Sequence, residues 1–178
     1  MKVYAIRHTA VAVQPGICYG QSDVDVASSF QTEKGEVVKS VSDIEFERIY
    51  SSPLQRCRKL AEEVFHGKQI YFDDRLLELN FGEWELKSWD EIYSNPEGKK
   101  WMDDYQNLPT LNGESYPEMK QRVEHFLNDL KDTECEQVAV VAHAGVIRLL
   151  KHLIDGDAMD SLFAEFKPAY GSVTIFEL

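Results

Sequence analysis

The sequence predicts an α/β fold built on a mostly parallel sheet. Two observations carry that expectation. Short strand-like runs alternate with helical segments along the chain, the order that builds βαβ units. One run, Gln137 to Ala142 (QVAVVA), is apolar nearly throughout, as in a strand covered on both faces. The chain has 178 residues, 43% of them hydrophobic, enough for one domain whose core needs no disulfide or metal staple.

The elements follow in order. Lys2 to Ile6 reads as a strand that stops at Arg7-His8, and Thr32 to Val41 as a weak helix. Arg48 to Ser51 is the second strand. Ser52, Pro53 and Gln55 then read as a capping box with proline at the first helical position, opening a helix whose stripe is Leu54, Cys57, Ala61 and Val64. Gln69 to Phe72 is the third strand. Asp73 to Thr110 reads as aromatic and irregular, holding one short helix capped by Ser88 with Glu91 and ended by Asn95-Pro96. Ser115 and Glu118 cap a longer helix with Met119, Val123, Leu127 and Leu130 on one face. After Gln137 to Ala142 come His143-Ala144-Gly145 and an apolar helix, Val146 to Ile154. Ser172 to Glu177 closes the chain as a strand.

Charge and composition exclude several roles. Lys and Arg number 19 against 31 Asp and Glu, a net charge of −12. That acidity argues against a nucleic-acid partner, whose phosphates demand a basic face. It also requires that any phosphate substrate be drawn by a local basic pocket. No run approaches the length of a membrane span. The start, MKVYAIRH, has too few apolar residues before Arg7 for a signal-peptide core. Cys18, Cys57 and Cys135 are odd in number and scattered, which fits reduced thiols in a cytoplasm.

In open α/β sheets ligands bind beyond the carboxyl ends of the strands. Three such ends carry chemistry here: Arg7-His8, Arg56 and His143, with Glu78 soon after the third strand. Arginine presents a planar fork that matches phosphate oxygens and stays charged. Neutral imidazole is a nucleophile toward phosphorus, and a carboxyl group serves as acid and then base. Amides at the start of the helix after His143, that of Ala144 among them, add donors and a favourable dipole end. His66, His125 and His152 lie on or near helices with no strand end behind them and read as structural. Glu83 and Glu85 compete with Glu78 but equally read as surface charge.

The motifs in order are Arg7-His8-Thr9, then Ser51-Ser52-Pro53-Leu54-Gln55-Arg56, then Leu76 to Glu85 (LLELNFGEWE). Gly113-Glu114-Ser115 follows, with Arg122-Val123 behind it, and last Ala142 to Arg148 (AHAGVIR). On these the chain resembles the histidine phosphatase superfamily across nearly its whole length. Cys18-Tyr19-Gly20 with Asp23, together with Thr9 after His8, resembles the α-ribazole-5′-phosphate phosphatases within it. Leu86 and Ala144 depart from the family pattern, since glycine often stands at both places.

The resemblance implies a three-layer α/β/α sandwich of the phosphoglycerate mutase type, one domain over residues 1–178 with a small helical cap insertion over 73–115. It implies a metal-independent, cofactor-free phosphomonoesterase acting on a small-molecule monoester. His8 would carry the phosphoryl group. Arg7, Arg56 and His143 would hold its oxygens, and Glu78 would be the acid and base. Ala144, Tyr19 and Gly20 would line the substrate site. The expected reaction is hydrolysis of α-ribazole 5′-phosphate to α-ribazole in cobalamin biosynthesis. Trp84, Trp89, Trp101 and Tyr105 would offer rings to the base, and 3-phosphoglycerate would be disfavoured because its carboxylate needs a further cation. A broad-specificity sugar or nucleotide phosphatase, a mutase-like enzyme and a catalytically silent interaction module are the alternatives, and the oligomeric state stays open.

Overall fold

The computed structural model describes residues 1–178. Five strands form one sheet: β1 (Lys2–Arg7), β2 (Arg48–Ser51), β3 (Tyr71–Phe72), β4 (Gln137–Ala142) and β5 (Val173–Glu177), in the spatial order β3-β2-β4-β1-β5. The pairs β1/β4, β2/β4 and β2/β3 are parallel, and β5 runs antiparallel to β1 at the edge.

Seven α-helices complete the chain: α1 (Phe30–Val41), α2 (Gln55–Val64), α3 (Trp89–Ser94), α4 (Pro96–Asp103), α5 (Tyr116–Lys131), α6 (Ala144–Asp155) and α7 (Met159–Glu165). The period-2 alternation of the strands sends neighbouring side chains to opposite faces. Val3, Ala5, Val138, Val140 and Ala142 join the α5–α6–α7 core, whereas Ile6, Ala139 and Val141 join the core under α1 and α2. This two-sided burial is why QVAVVA carries almost no polar residue, and it makes the molecule a three-layer sandwich.

Four local expectations need correction. The helix after β2 starts at Gln55, not Pro53: Ser52 does not cap it, and Leu54 at its N-cap is extended (φ −62°, ψ 138°). The Ser52 hydroxyl is 2.8 Å from His143, and Asp23 accepts the Gln55 amide instead (2.7 Å), so a distant loop caps the helix. The third strand shrinks to Tyr71–Phe72. The region 73–110 is more regular than expected. Two 3₁₀ turns, Asp74–Leu76 and Gly82–Trp84, precede α3, and Pro96 both follows α3 and opens α4 at its N1 position. Finally, α7 was not expected, because its seven residues carry too short an apolar pattern to stand out.

The cap of α5 forms as the sequence indicates. The Ser115 hydroxyl accepts from the Glu118 amide while the Glu118 carboxylate accepts from the Ser115 amide, and Met119, Val123, Leu127 and Leu130 are buried. Ser88 likewise accepts from the Glu91 amide at the start of α3.

Candidate active site

Strand register builds the site. Arg7 pairs with Ala142, so the next residue of each strand, His8 and His143, emerges side by side at the carboxyl edge. Their ring centroids lie 5.1 Å apart. Ser51 pairs with Val141, which places Ser52 beside them and Arg56 on the first turn of α2. His8, His143, Ser52 and Arg56 are all buried.

The hydrogen bonds fix how each ring is presented. His8 Nδ1 lies 2.7 Å from the carbonyl of Thr9, an acceptor only. Nδ1 therefore carries the proton and Nε2 keeps its lone pair. His143 Nε2 lies 2.8 Å from the Ser52 hydroxyl, and that hydroxyl also sits 3.4 Å from the Leu54 amide. The Cys57 thiol lies 3.5 Å from the same Nε2, so Ser52 and Cys57 together anchor this edge of the ring. Both histidines are held well below the usual imidazole pKa. Burial is the main cause for each, and the Arg56 guanidinium comes next. Both are neutral at neutral pH.

The two arginines are aimed by carbonyls. Arg56 donates Nη1 to Ser22 (2.9 Å) and Nη2 to Gly20 (2.6 Å), and Arg7 donates Nη1 to Pro168 (2.7 Å). The Nε atoms of both are buried without a partner. One buried and one half-buried guanidinium with orphaned donors, next to two neutral imidazoles, form a site for a tetrahedral dianion.

Glu78 follows the first 3₁₀ turn. Its Oε1 accepts from the Leu79 amide (3.0 Å) and its Oε2 from the Gly145 amide (3.1 Å) in the first turn of α6. Arg122 of α5 splints the segment that carries it, donating to the carbonyls of Arg75, Leu77 and Glu78 while pairing with Glu114 (2.6 Å). Ala144 is the first residue of α6, where the helix itself leaves an amide unused. Ala144 is absent from the positive-φ residues, so its departure from glycine costs the turn nothing.

Arg7, His8, Glu78, Ala144 and Gly145 line one cavity of about 510 Å³ with an apolar, ring-rich wall. Tyr19, Gly20, Trp89, Trp101 and Tyr105 line it, as expected from the sequence. Trp84 does not: it is 3% exposed and packs with Cys18 and Ile92. Gly20 also has a structural task, since its carbonyl holds Arg56. Glu85 is no loose surface charge. It accepts from the amides of Gln21, Ser22 and Phe81, tying the Tyr19–Gly20 loop to the Glu78 segment. Arg148 lines the same cavity, a cation beyond Arg7 and Arg56.

Sequence reasoning also missed Tyr170. Its ring lies 4.0 Å from the Arg7 guanidinium carbon and its hydroxyl is 2.9 Å from that of Tyr19, so the two tyrosines close over His8. Nothing in the local sequence marks it, since it sits in a loop 162 residues from His8.

The sequence profile of the histidine phosphatase superfamily, branch 1, matches residues 3–178. The chain belongs to the histidine phosphatase superfamily. It is a hydrolase of the phosphatase class. The adenosylcobalamin/alpha-ribazole phosphatase of Salmonella typhimurium is 28% identical over 167 residues, covering 84% of this chain and 77% of that one. Phosphoserine phosphatase 1 of Hydrogenobacter thermophilus is 26% identical over 156 residues, covering 84% and 74%. The crystal structure of the alpha-ribazole phosphatase from Shigella flexneri superposes with a TM-score of 0.91 at 23% identity, over 100% of this chain and 91% of that one, which establishes the shared fold. His8, Arg56 and His143 form one buried cluster with half-buried Arg7 beside it, and Glu78 lines the adjoining cavity.

Proposed function

We propose that the chain is a phosphomonoesterase that works through a phosphohistidine at His8, and that its substrate is α-ribazole 5′-phosphate. The observation that carries the mechanism is the His8 tautomer: Nδ1 is tied to a carbonyl, so Nε2 presents a lone pair among two guanidiniums. Nε2 attacks phosphorus while the ester P–O bond breaks. Protonated Glu78 gives its proton to the departing alkoxide oxygen, releasing the alcohol. The Glu78 carboxylate then takes a proton from water. The resulting hydroxide attacks phosphorus, the P–N bond breaks, and phosphate leaves with His8 neutral again. Arg7, Arg56 and His143 stabilise the equatorial oxygens, where charge is spread in the transition state. The Ala144 amide adds a donor at the dipole end of α6.

The substrate reading draws on the cavity wall and the relatives together. Trp89, Trp101 and Tyr105 offer flat apolar surface, and stacking one base on a ring is worth about 1–3 kcal/mol. The alpha-ribazole phosphatase relative supports the same substrate. The reaction then belongs to cobalamin biosynthesis in the cytoplasm, where three unpaired cysteines are at home. Comparison of kcat/KM for α-ribazole 5′-phosphate, 3-phosphoglycerate and fructose bisphosphate at matched pH and salt tests it. The first should lead. A value for 3-phosphoglycerate at or above that for α-ribazole phosphate would defeat the substrate assignment and leave the phosphohistidine chemistry standing.

A further inference from the structure

The cavity holds one cation that the phosphohistidine chemistry does not use. Arg148 lies on α6, four residues past Ala144, and faces the cavity shared with Glu78, Tyr105 and Tyr116. Its Nε donates to the Phe166 carbonyl (3.0 Å), and its guanidinium carbon sits 5.0 Å from the centre of the Phe163 ring. These two contacts hold the head in place and leave Nη1 and Nη2 without a protein acceptor. Arg148 also has no ion-pair partner, although its head is half-buried in a chain of net charge −12. Burial is the first cause that lowers its pKa, which shows the cost of keeping it charged there. The other arginines of the site differ. Arg7 and Arg56 flank His8 and hold the phosphoryl oxygens in the proposed mechanism, which leaves Arg148 as the cation for the alcohol half. A half-desolvated fork with two free ends is stabilised by an acceptor that arrives with the ligand.

We propose that Arg148 is a specificity-determining residue whose terminal nitrogens hold an acceptor oxygen on the alcohol half of the substrate. A carboxylate or a sugar hydroxyl supplies that chemistry equally. The proposal rests on the reading of this cavity as the place where the leaving group sits. It predicts that a plain hydrocarbon ester forgoes the interaction, so the enzyme selects monoesters whose alcohol carries oxygen near the scissile bond.

The test is Arg148→Met, which keeps much of the stem and removes the fork. Three monoesters are compared by kcat/KM: 1-naphthyl phosphate, whose alcohol half has no second oxygen, ribose 5-phosphate and phosphoserine. Loss of a hydrogen bond to a charged group predicts a fall of about 10- to 100-fold on at least one oxygen-bearing ester. Naphthyl phosphate should change by less than about threefold, which also reports that the variant folds. A fall confined to phosphoserine identifies a carboxylate reader, and one confined to ribose 5-phosphate a hydroxyl reader. An equal fall on all three esters, or no fall on any, overturns the proposal. Failure of the underlying phosphatase reading looks different, because wild-type protein would then form no phosphoenzyme from any of them.

Discussion

Gly145→Ala separates catalysis from folding at a single atom. Gly145 is the second residue of α6, and its amide donates to Glu78 Oε2 at 3.1 Å. A β-carbon added there would lie 2.1 Å from Glu78 Oε1 and 3.1 Å from the Met119 methyl. Ordinary contact needs about 3.4 Å, so the carboxylate must retreat by about 1.3 Å, or swing away entirely, since the obstacle is a side-chain end. Stability should hold. Alanine is favoured over glycine in a helix by about 1 kcal/mol, which offsets the local adjustment. Catalysis should not hold, because a misplacement near 1 Å costs on the order of 10²-fold. Steady-state kcat on an alkyl phosphate and on an activated aryl phosphate reads this out beside thermal melting. The expected result is a fall of about 100-fold on the alkyl ester and a smaller one on the aryl ester, whose leaving group needs little protonation, with the melting temperature unchanged or raised. Wild-type turnover of the alkyl ester would refute the role given to Glu78. So would equal losses on the two esters.

Three further outcomes follow from the same structure. Leu86 has φ 64° and is 58% exposed, so Leu86→Gly relieves a left-handed backbone at little loss of burial. The gain is about 0.5–1 kcal/mol once glycine's unfolded-state entropy is subtracted, read as a raised urea midpoint. Asp23→Ala removes the oxygen that accepts the Gln55 amide and should cost about 1 kcal/mol, whereas Asp23→Asn retains an acceptor and should cost less; equal losses would mean that the cap is unimportant. Burial holds His8 and His143 neutral in the folded protein, while in the unfolded chain each takes a proton near the ordinary value of about 6.5. The stability they allow is whole above that pH and declines as pH falls below it, by about 1.4 kcal/mol per unit for each histidine. Urea denaturation at pH 7.5 and 5.5 should show that decline, and identical midpoints would contradict it.

The parts of this fold that were legible in the sequence are those fixed by local physics. QVAVVA needs two covered faces. Ser115 with Glu118 is a reciprocal cap, and a charged residue directly after an apolar run marks a strand end. The grouping of Arg7, His8, Arg56 and His143 was legible for the same reason, since strand ends in a parallel sheet converge. What escaped was set by distant partners. Ser52 has the residue type and position of an N-cap, yet its hydroxyl is claimed by His143, 91 residues away. Asp23 fills the vacated role from another loop. Pro96 reads as a helix stop, and it is one for α3, but the same ring starts α4. Tyr170 and Arg148 gain meaning only when the loop before β5 and the face of α6 close on the cavity.

The central claim is that His8 carries the phosphoryl group. Rapid base quench during turnover of a ³²P-labelled monoester, followed by peptide mapping with an acid-treated aliquot for comparison, tests it directly. The account predicts an acid-labile, base-stable label on the peptide containing His8, absent from His8→Ala and retained with slowed turnover in Glu78→Gln. A label that persists in His8→Ala, or turnover in that variant at the wild-type rate, would contradict it.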